Sequence, residues 1–423
     1  MDRKHSCSQF AFNPETLALG LGYDPFRSEG AVKPPAFLTS TFQFRTAEEG
    51  KHYFELAYGL KEREEKDIDG LIYSRLNNPN LQIFEERLAA WDGTDAGSVF
   101  ASGMAAISTL SLTLLKPGDY ILCSAPVYGG THYLFEHILP KFDIHTIQVH
   151  GGNNTAQLMR EAAAKVGKDK VRMLFLETPA NPSNTMVDIE SIAALADELS
   201  AGADRRVITA VDNTFMGPIF QSPAKHGADL VIYSATKFIG GHSDLIAGVV
   251  TGKKKVMDEL MLMRTILGTM ANPFSGWLLL RSLETVAVRM RRQAETAQKV
   301  AEMLAAHPQV NRVCYPGLLE KGDPQRAIYD KQCTGPGALI AFEINGGEKA
   351  AMAALNRFEV ARLAVSLGGT ESLVQLPYCM THSDVPPEQL ESFGVTAGLV
   401  RMSVGLEHPE DLIHDCEQAL KVD

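Results

Sequence analysis

Seven times between Gly97 and Gly252 the chain passes through a short, mostly apolar run: "GSVFAS", "DYILCSA", "DIHTIQV", "VRMLFLET", "RRVITAVDN", "ADLVIYSA" and "IAGVVTG". Each is too brief for a helix that buries itself and is bounded by Gly, Pro, Asp or Asn. Helical stretches such as "THYLFEHIL" and "DIESIAALADEL" lie between several of them. The runs do not alternate apolar with polar, so both faces of each strand are to be covered. That pattern predicts an α/β fold with a mostly parallel seven-stranded sheet held between layers of helices.

The flanking sequence divides the rest. Up to Gly70 it is rich in Pro, Gly and aromatic residues, and "AEEGKHYFELAYGLKEREEKDIDG" is dense in charge, which reads as an extended arm or loop. Leu81, Phe84, Leu88 and Trp91 recur at helical spacing between Pro79 and Gly93, predicting a helix that starts near the proline. From Ser275 to His307 the pattern is that of one long linking helix. Beyond it "ALIAFEI", "ARLAVSL" and "LVRMSVGLE" read as strands among three shorter helical runs, a smaller C-terminal α+β unit. The expected division is an arm over residues 1–75, a large domain over 76–274 and a C-terminal domain over 275–423, sizes that 423 residues accommodate.

A net charge of -11 without a Lys/Arg cluster argues against nucleic acid as a partner. Six scattered cysteines with no C-x-x-C pair suggest neither a disulfide framework nor a zinc site, and the twelve histidines form no H-E-x-x-H, so no metal is expected. The opening "MDRKHSCSQFAFNP" has no apolar core of a signal peptide, and no run approaches the roughly 18 uninterrupted apolar residues of a membrane span. A soluble cytoplasmic protein is the expectation.

In an open parallel sheet, ligands bind beyond the carboxyl ends of the strands. Collected there are Gly103 and Met104 opening a helical run, Tyr128 in "PVYGGT", Asn181 in "PANPSN", Asp212, and Ser234, Thr236 and Lys237 in "SATKF". Singly each has a plain reading: a solvated lysine, an Asx turn at Asp212, turn chemistry at Gly103. Together they suit pyridoxal phosphate. A lysine amine attaches to the cofactor aldehyde and moves protons. A carboxylate beside the pyridine nitrogen contributes roughly 4 kcal/mol at ~4 Å, about three pKa units in favour of the protonated ring. A glycine at a helix start lets backbone N–H groups reach a phosphate, and hydroxyls add donors. No G-x-x-x-x-G-K-[ST], and no G-x-G-x-x-G after a strand, supports a nucleotide site instead.

"YSRLNNPN", "ASGMAAI", "PVYGGT", "ETPANP", "VDNTF", "HGADLVIYSATKFIGGHSDLIAG", "AVSLGGTESL", "MTHS" and "LVRMSVGLEHPEDL" together resemble the Cys/Met-metabolism (trans-sulfuration) family of fold-type I pyridoxal-phosphate enzymes over essentially the whole chain. The resemblance implies pyridoxal 5'-phosphate as cofactor, an amino acid as substrate, and Lys237 as the lysine that carries the cofactor and shuttles protons. It implies Asp212 on the pyridine nitrogen, Tyr128 stacked on the ring, and Gly103, Met104, Ser234 and Thr236 around the phosphate. Tyr73 and Arg75 would reach into a neighbouring subunit's site, Tyr73 or Tyr128 assisting the leaving group, in a homodimer paired into a tetramer. Arg401, with Ser366 and Asn181 nearby, would hold the substrate α-carboxylate. Val365 before Ser366 is similar to methionine γ-lyases, whereas members that handle cystathionine usually carry Glu there. Tyr133 stands where cystathionine γ-synthases often have Arg. Gly130 and the long segment before "YSR" depart from the lyase pattern. γ-Elimination from methionine or a related amino acid is the leading expectation, with γ-replacement on an O-acylhomoserine the alternative.

Overall fold

In a computed structural model that describes residues 12–62, 64, 70–383 and 385–421, all seven apolar runs form strands. They are β1 (Ala96–Phe100), β2 (Tyr120–Ala125), β3 (His145–His150), β4 (Val171–Glu177), β5 (Ile208–Asp212), β6 (Leu230–Tyr233) and β7 (Gly248–Gly252). They make one sheet in the order β1-β7-β6-β5-β4-β2-β3. The contiguous block from β6 to β3 is parallel, while β7 runs antiparallel to both of its neighbours. Every residue of β4, β5, β6 and β7 is buried, as unalternating apolar strands require when helices cover both faces. One face carries Phe100, Ile107, Ile121, Phe135, Phe175 and Ile232, the other Leu122, Leu174, Leu176, Val211 and Ile192.

A second, five-stranded sheet is formed by β8 (Val310–Cys314), β9 (Leu339–Ile344), β10 (Arg362–Leu363), β11 (Leu373–Gln375) and β12 (Leu399–Ser403) in the order β10-β11-β12-β9-β8. Its apolar residues merge into the same core as Tyr233, Phe238 and Val249 of the first sheet region.

Three expectations need correction. The charge-dense segment is not all extended: Ala47–Ala57 is a helix, with Thr46 as N-cap accepting from the Glu49 N–H at 3.1 Å and Glu48 and Glu49 in the first turn. The Thr-x-x-Glu cap overrides what the composition suggests. The long helix is two, Pro273–Leu283 and Val286–Ala306. At the break the Ser282 carbonyl accepts from Thr285 N at 3.2 Å and from Arg289 Nη2 at 2.9 Å, so it is not left for a continuing α-helical turn. Finally, "ARLAVSL" supplies only two strand residues. Its continuation leaves the sheet to bring Val365 and Ser366 to the cavity described below. The start of the chain with Cys7, and residues 63 and 65–69 of the charged segment, lie outside the described residues. Among those described, no helix is long and apolar enough to cross a membrane.

Candidate active site

A cavity of about 460 Å³ opens at the carboxyl ends of the parallel strands. Ten of the twelve residues singled out from the sequence line it: Gly103, Met104, Tyr128, Asn181, Asp212, Ser234, Thr236, Lys237, Ser366 and Arg401. The sheet supplies most of them by register. Asp212 ends β5, Ser234 follows β6, and Lys237 sits one turn further, its N–H bonded to the Ser234 carbonyl at 3.0 Å. Arg401 comes from the middle of β12, opposite Gln375 and Ala341.

Lys237 Nζ donates to Ser366 Oγ at 2.7 Å. Burial, reinforced by the Arg401 charge, lowers its pKa to about 8, so a useful fraction is an uncharged base near neutral pH. Ser366 has φ 92, a left-handed conformation that a serine holds only when its surroundings fix it. Its hydroxyl takes the lysine and its carbonyl accepts from Arg401 Nη2 at 2.7 Å. Arg401 Nη1 donates to Asn181 Oδ1 at 3.0 Å. With its amide oxygen turned to the guanidinium, Gln375 accepts from Nη2 at 2.7 Å and Nη1 at 3.1 Å. The charge is buried, which lowers the Arg401 pKa to about 10.

Asp212 Oδ1 accepts from both the N–H and the hydroxyl of Thr214, at 3.0 and 2.6 Å. Burial raises its pKa despite those two bonds. Thr214 Oγ1 also accepts from Ser234 N at 2.8 Å, so one hydroxyl ties the acid to the turn after β6. Thr214 and Glu177, which also lines the cavity, were not singled out from the sequence. An Asp-x-Thr turn motif is a signal that could have found the first. Glu177 ends β4 as Asp212 ends β5, but it falls inside the run "VRMLFLET" and so is not among the residues that follow a strand.

At the start of the helix Gly103–Leu114, Ser102 Oγ accepts from Ala105 N at 2.9 Å and the Ser102 carbonyl from Ala106 N at 3.0 Å. The N–H groups of Gly103 and Met104 are thereby the ones left for a ligand at the positive end of the helix. A Cβ on Gly103 would meet Ser234 Cβ, Cα and Oγ at 3.1 to 3.2 Å, so glycine lets these two segments close on a small anion. Thr236 is differently engaged: its hydroxyl donates to the Ala247 carbonyl at 3.1 Å and accepts from Ala247 N at 3.0 Å, pinning the lysine turn to the approach of β7. Tyr73 and Arg75 stand apart. They line a separate groove with Leu38, Met270 and Phe274, Arg75 Nη1 donating to the Thr265 carbonyl at 2.6 Å.

Residues 15–421 match the model of the Cys/Met metabolism PLP-dependent enzymes. The chain belongs to that family. Members use pyridoxal phosphate, and the fold is the family's fold-type I arrangement. It is 40% identical to an L-methionine gamma-lyase of Pseudomonas deceptionensis, over 100% of this chain and 99% of that one. A cystathionine beta-lyase of Bacillus subtilis is 37% identical over 96% of each chain. The crystal structure of a cystathionine gamma synthase from Xanthomonas oryzae pv. oryzae, in complex with aminoacrylate and cysteine, superposes with a TM-score of 0.86 at 33% identity, covering 97% of this chain and 98% of that one.

The family's cofactor fits the residues present. An amine, a buried carboxylate whose two hydrogen bonds both fall on Oδ1, and a glycine-floored helix start answer its aldehyde, its ring nitrogen and its phosphate in turn.

Proposed function

We propose that this enzyme carries out γ-elimination on L-methionine or a closely related sulfur amino acid, converting methionine and water to methanethiol, ammonia and 2-oxobutanoate. The observation that carries this reading is the composition of the cavity wall. Beyond its polar groups it presents Ile107, Ile246, Val365, Leu367 and Met380. That wall suits an uncharged thioether, and Val365, next to the strained Ser366, puts a hydrocarbon where a charged residue would select a second amino-acid head group. The 40% identity to a protein named L-methionine gamma-lyase supports the same choice.

Pyridoxal phosphate, when bound, accepts the electron pair of the carbon that loses its proton. The chain's residues do the rest. Lys237 would anchor the cofactor and, as free amine, take the α-proton, pass it on, and, free again, take a β-proton. Asp212, steadied by Thr214, would keep the ring nitrogen protonated, and Tyr128 would stack on the ring. Gly103, Met104 and Ser234 would hold the phosphate, with Thr236 joining if it releases Ala247. The Arg401 fork, aimed by Asn181, Gln375 and the Ser366 carbonyl, would bind the α-carboxylate through two hydrogen bonds. Tyr128, which lines the cavity, would protonate the departing sulfur, whereas Tyr73 and Arg75, outside this cavity, would act in a neighbouring subunit's site. The active unit is then a homodimer at least, and a tetramer by pairing, in the cytoplasm. The proposed division is an arm over 1–75, a large domain over 76–274 and a C-terminal domain over 275–423, the last two supported by the two strand sets.

One observation favours a second reading, γ-replacement on an O-acylhomoserine. A Cβ on residue 130 would meet Tyr128 Cε1 at 2.6 Å and Met104 Sδ at 3.2 Å, so Gly130 leaves the tyrosine its present pose and spares volume beside it. A product assay on the holoenzyme separates the two. With methionine, 2-oxobutanoate is expected at a rate independent of added thiol. Replacement products from O-acetyl- or O-succinylhomoserine with cysteine or sulfide, and little keto acid, would overturn the lyase reading.

A further inference from the structure

The cavity contains a second buried carboxylate that the chemistry above does not use. Glu177 ends β4 as Asp212 ends β5, and the two stand opposite each other in the parallel register, so both side chains leave the same face of the sheet. Like charges so placed repel, and burial adds to the cost of keeping them ionised. Glu177 is nevertheless held on both oxygens: Oε2 accepts from the Tyr128 N–H at 2.8 Å and Oε1 from the Asn181 N–H at 3.0 Å. These two N–H groups belong to different loops, one following β2 and one following β4. Asn181 in turn receives Arg401 Nη1. A single carboxylate therefore spans the residue that faces the cofactor ring and the residue that aims the carboxylate clamp.

We propose that Glu177 is a positioning residue which fixes Tyr128 relative to Asn181 and, through Asn181, to Arg401. It sets the distance between the ring-stacking and carboxylate-binding halves of the site. The inference rests on the roles given above to Tyr128, Asn181 and Arg401, and not on which sulfur amino acid is consumed. A role in stability alone, the capping of two loop N–H groups, is the competing explanation.

Glu177→Gln distinguishes them at constant volume. Whichever way the amide turns, one of its ends presents N–H to N–H and one of the two contacts is lost. Displacement of a positioning group by a fraction of an ångström to 1 Å lowers kcat/KM by about 100-fold, and here KM should rise while kcat falls because both halves move. The charge has a separate readout. Asp212, Cys123, Tyr128, Lys237 and Arg401 are the titratable groups around Glu177. Burial and the neighbouring Asp212 push the Glu177 pKa up to about 8, while its two N–H donors favour the carboxylate. At pH values where it is ionised, loss of its charge makes a protonated group nearby easier to deprotonate, so the pH midpoint of the bound cofactor's absorption band should shift downward. That titration needs no substrate, and the kinetics use whichever substrate the product assay identifies, so failure of methionine as substrate leaves the test intact. A folded E177Q enzyme with kcat/KM within about threefold of wild type and an unmoved band would overturn the proposal. Should E177Q not fold, Glu177→Asp keeps the charge one methylene short of its partners. It should then change KM and kcat while holding the midpoint, and unchanged kinetics would be equally fatal.

Discussion

The rim of the large sheet and the N-terminal arm contribute to one expected site under opposite physical conditions. Asp212 and Arg401 are buried and Lys237 is half-buried, and desolvation pushes each away from its charged form: the acid upward, the lysine to about 8, the arginine to about 10. The sheet fixes their positions through register, independently of any neighbour. On the arm, Tyr73 is 41% exposed, and in the helix Ala47–Ala57 only Gly50 is buried, with Phe54, Tyr58 and the following Leu60 open to solvent. The rim is preorganised at a cost in stability. The arm is bonded to the body at several points, among them Asn80 to Pro35, Trp277 to Pro34 and Arg75 to Thr265, yet it leaves a cluster of apolar and aromatic side chains exposed, a surface that suits a partner on another molecule.

The sharpest way to break this comparison is to disable each region in a different subunit. Lys237→Ala should lower 2-oxobutanoate formation by at least about 10⁴-fold, since it removes both the anchor and the base. Arg75→Ala should also be impaired. If the arm acts in trans, refolding the two inactive variants together recovers activity, because a hybrid dimer contains one site with an intact lysine and an intact neighbouring arginine. No recovery from well-mixed subunits would place Tyr73 and Arg75 outside the chemistry and return the arm to a merely structural part.

A smaller effect probes the rim alone. Arg401→Lys keeps the charge and loses the fork that bridges a carboxylate with two donors. KM for the amino acid should rise about 100-fold with a lesser change in kcat, measured by steady-state kinetics. An equal loss in both would mean that the arginine serves the reacting centre and not only the bound ground state.

Much of this rim was legible because its residues follow directly on apolar strands, a relation that survives without coordinates. Lys237, Asp212 and Tyr128 were found that way, and Arg401 through the family resemblance. Glu177 ends its strand as Asp212 does, but it was hidden because the run "VRMLFLET" carries the apolar stretch past it, whereas "RRVITAV" stops before Asp212. Thr214 matters through a hydroxyl bonded to two partners; the Asp-x-Thr spacing hints at the bond to Asp212 but not at the one from Ser234 N. The break at Glu284 and the early end of β10 depend on what Arg289 and Arg401 reach across the fold, at separations of 7 and 35 residues for the carbonyls of Ser282 and Ser366. The arm helix was missed for a different reason: its capping signal is local, but charge dominated the composition around it.

The cost of the rim is measurable in the apoprotein. Asp212 has a folded-state pKa above its ordinary value, so between the two the native state binds more protons than the unfolded chain and stability falls as pH rises through that interval. Lys237 runs the other way. Its pKa of about 8 lies below the ordinary 10.5, so the unfolded chain holds more protons between those values and stability climbs with pH there. Asp212→Asn should therefore raise the apoprotein Tm at pH 7 by roughly 2 °C while abolishing turnover, and the gain should vanish at acid pH, where the wild-type carboxyl is already neutral. A lowered Tm at neutral pH would mean that Thr214 compensates the acid fully and that the rim carries no such penalty.

The smallest expected effect belongs to the arm. Thr46→Ala removes the N-cap bond to Glu49 and should weaken the helix Ala47–Ala57 by about 1 kcal/mol. In a helix so little covered, that loss stays local: amides of its first turn should exchange with solvent about fivefold faster, read by hydrogen-deuterium exchange, while the global Tm does not move. A fall in global Tm would show that the helix unfolds together with the core. The arm would then stand in the same physical class as the rim, and its exposed aromatic face would need an explanation other than a neighbouring subunit.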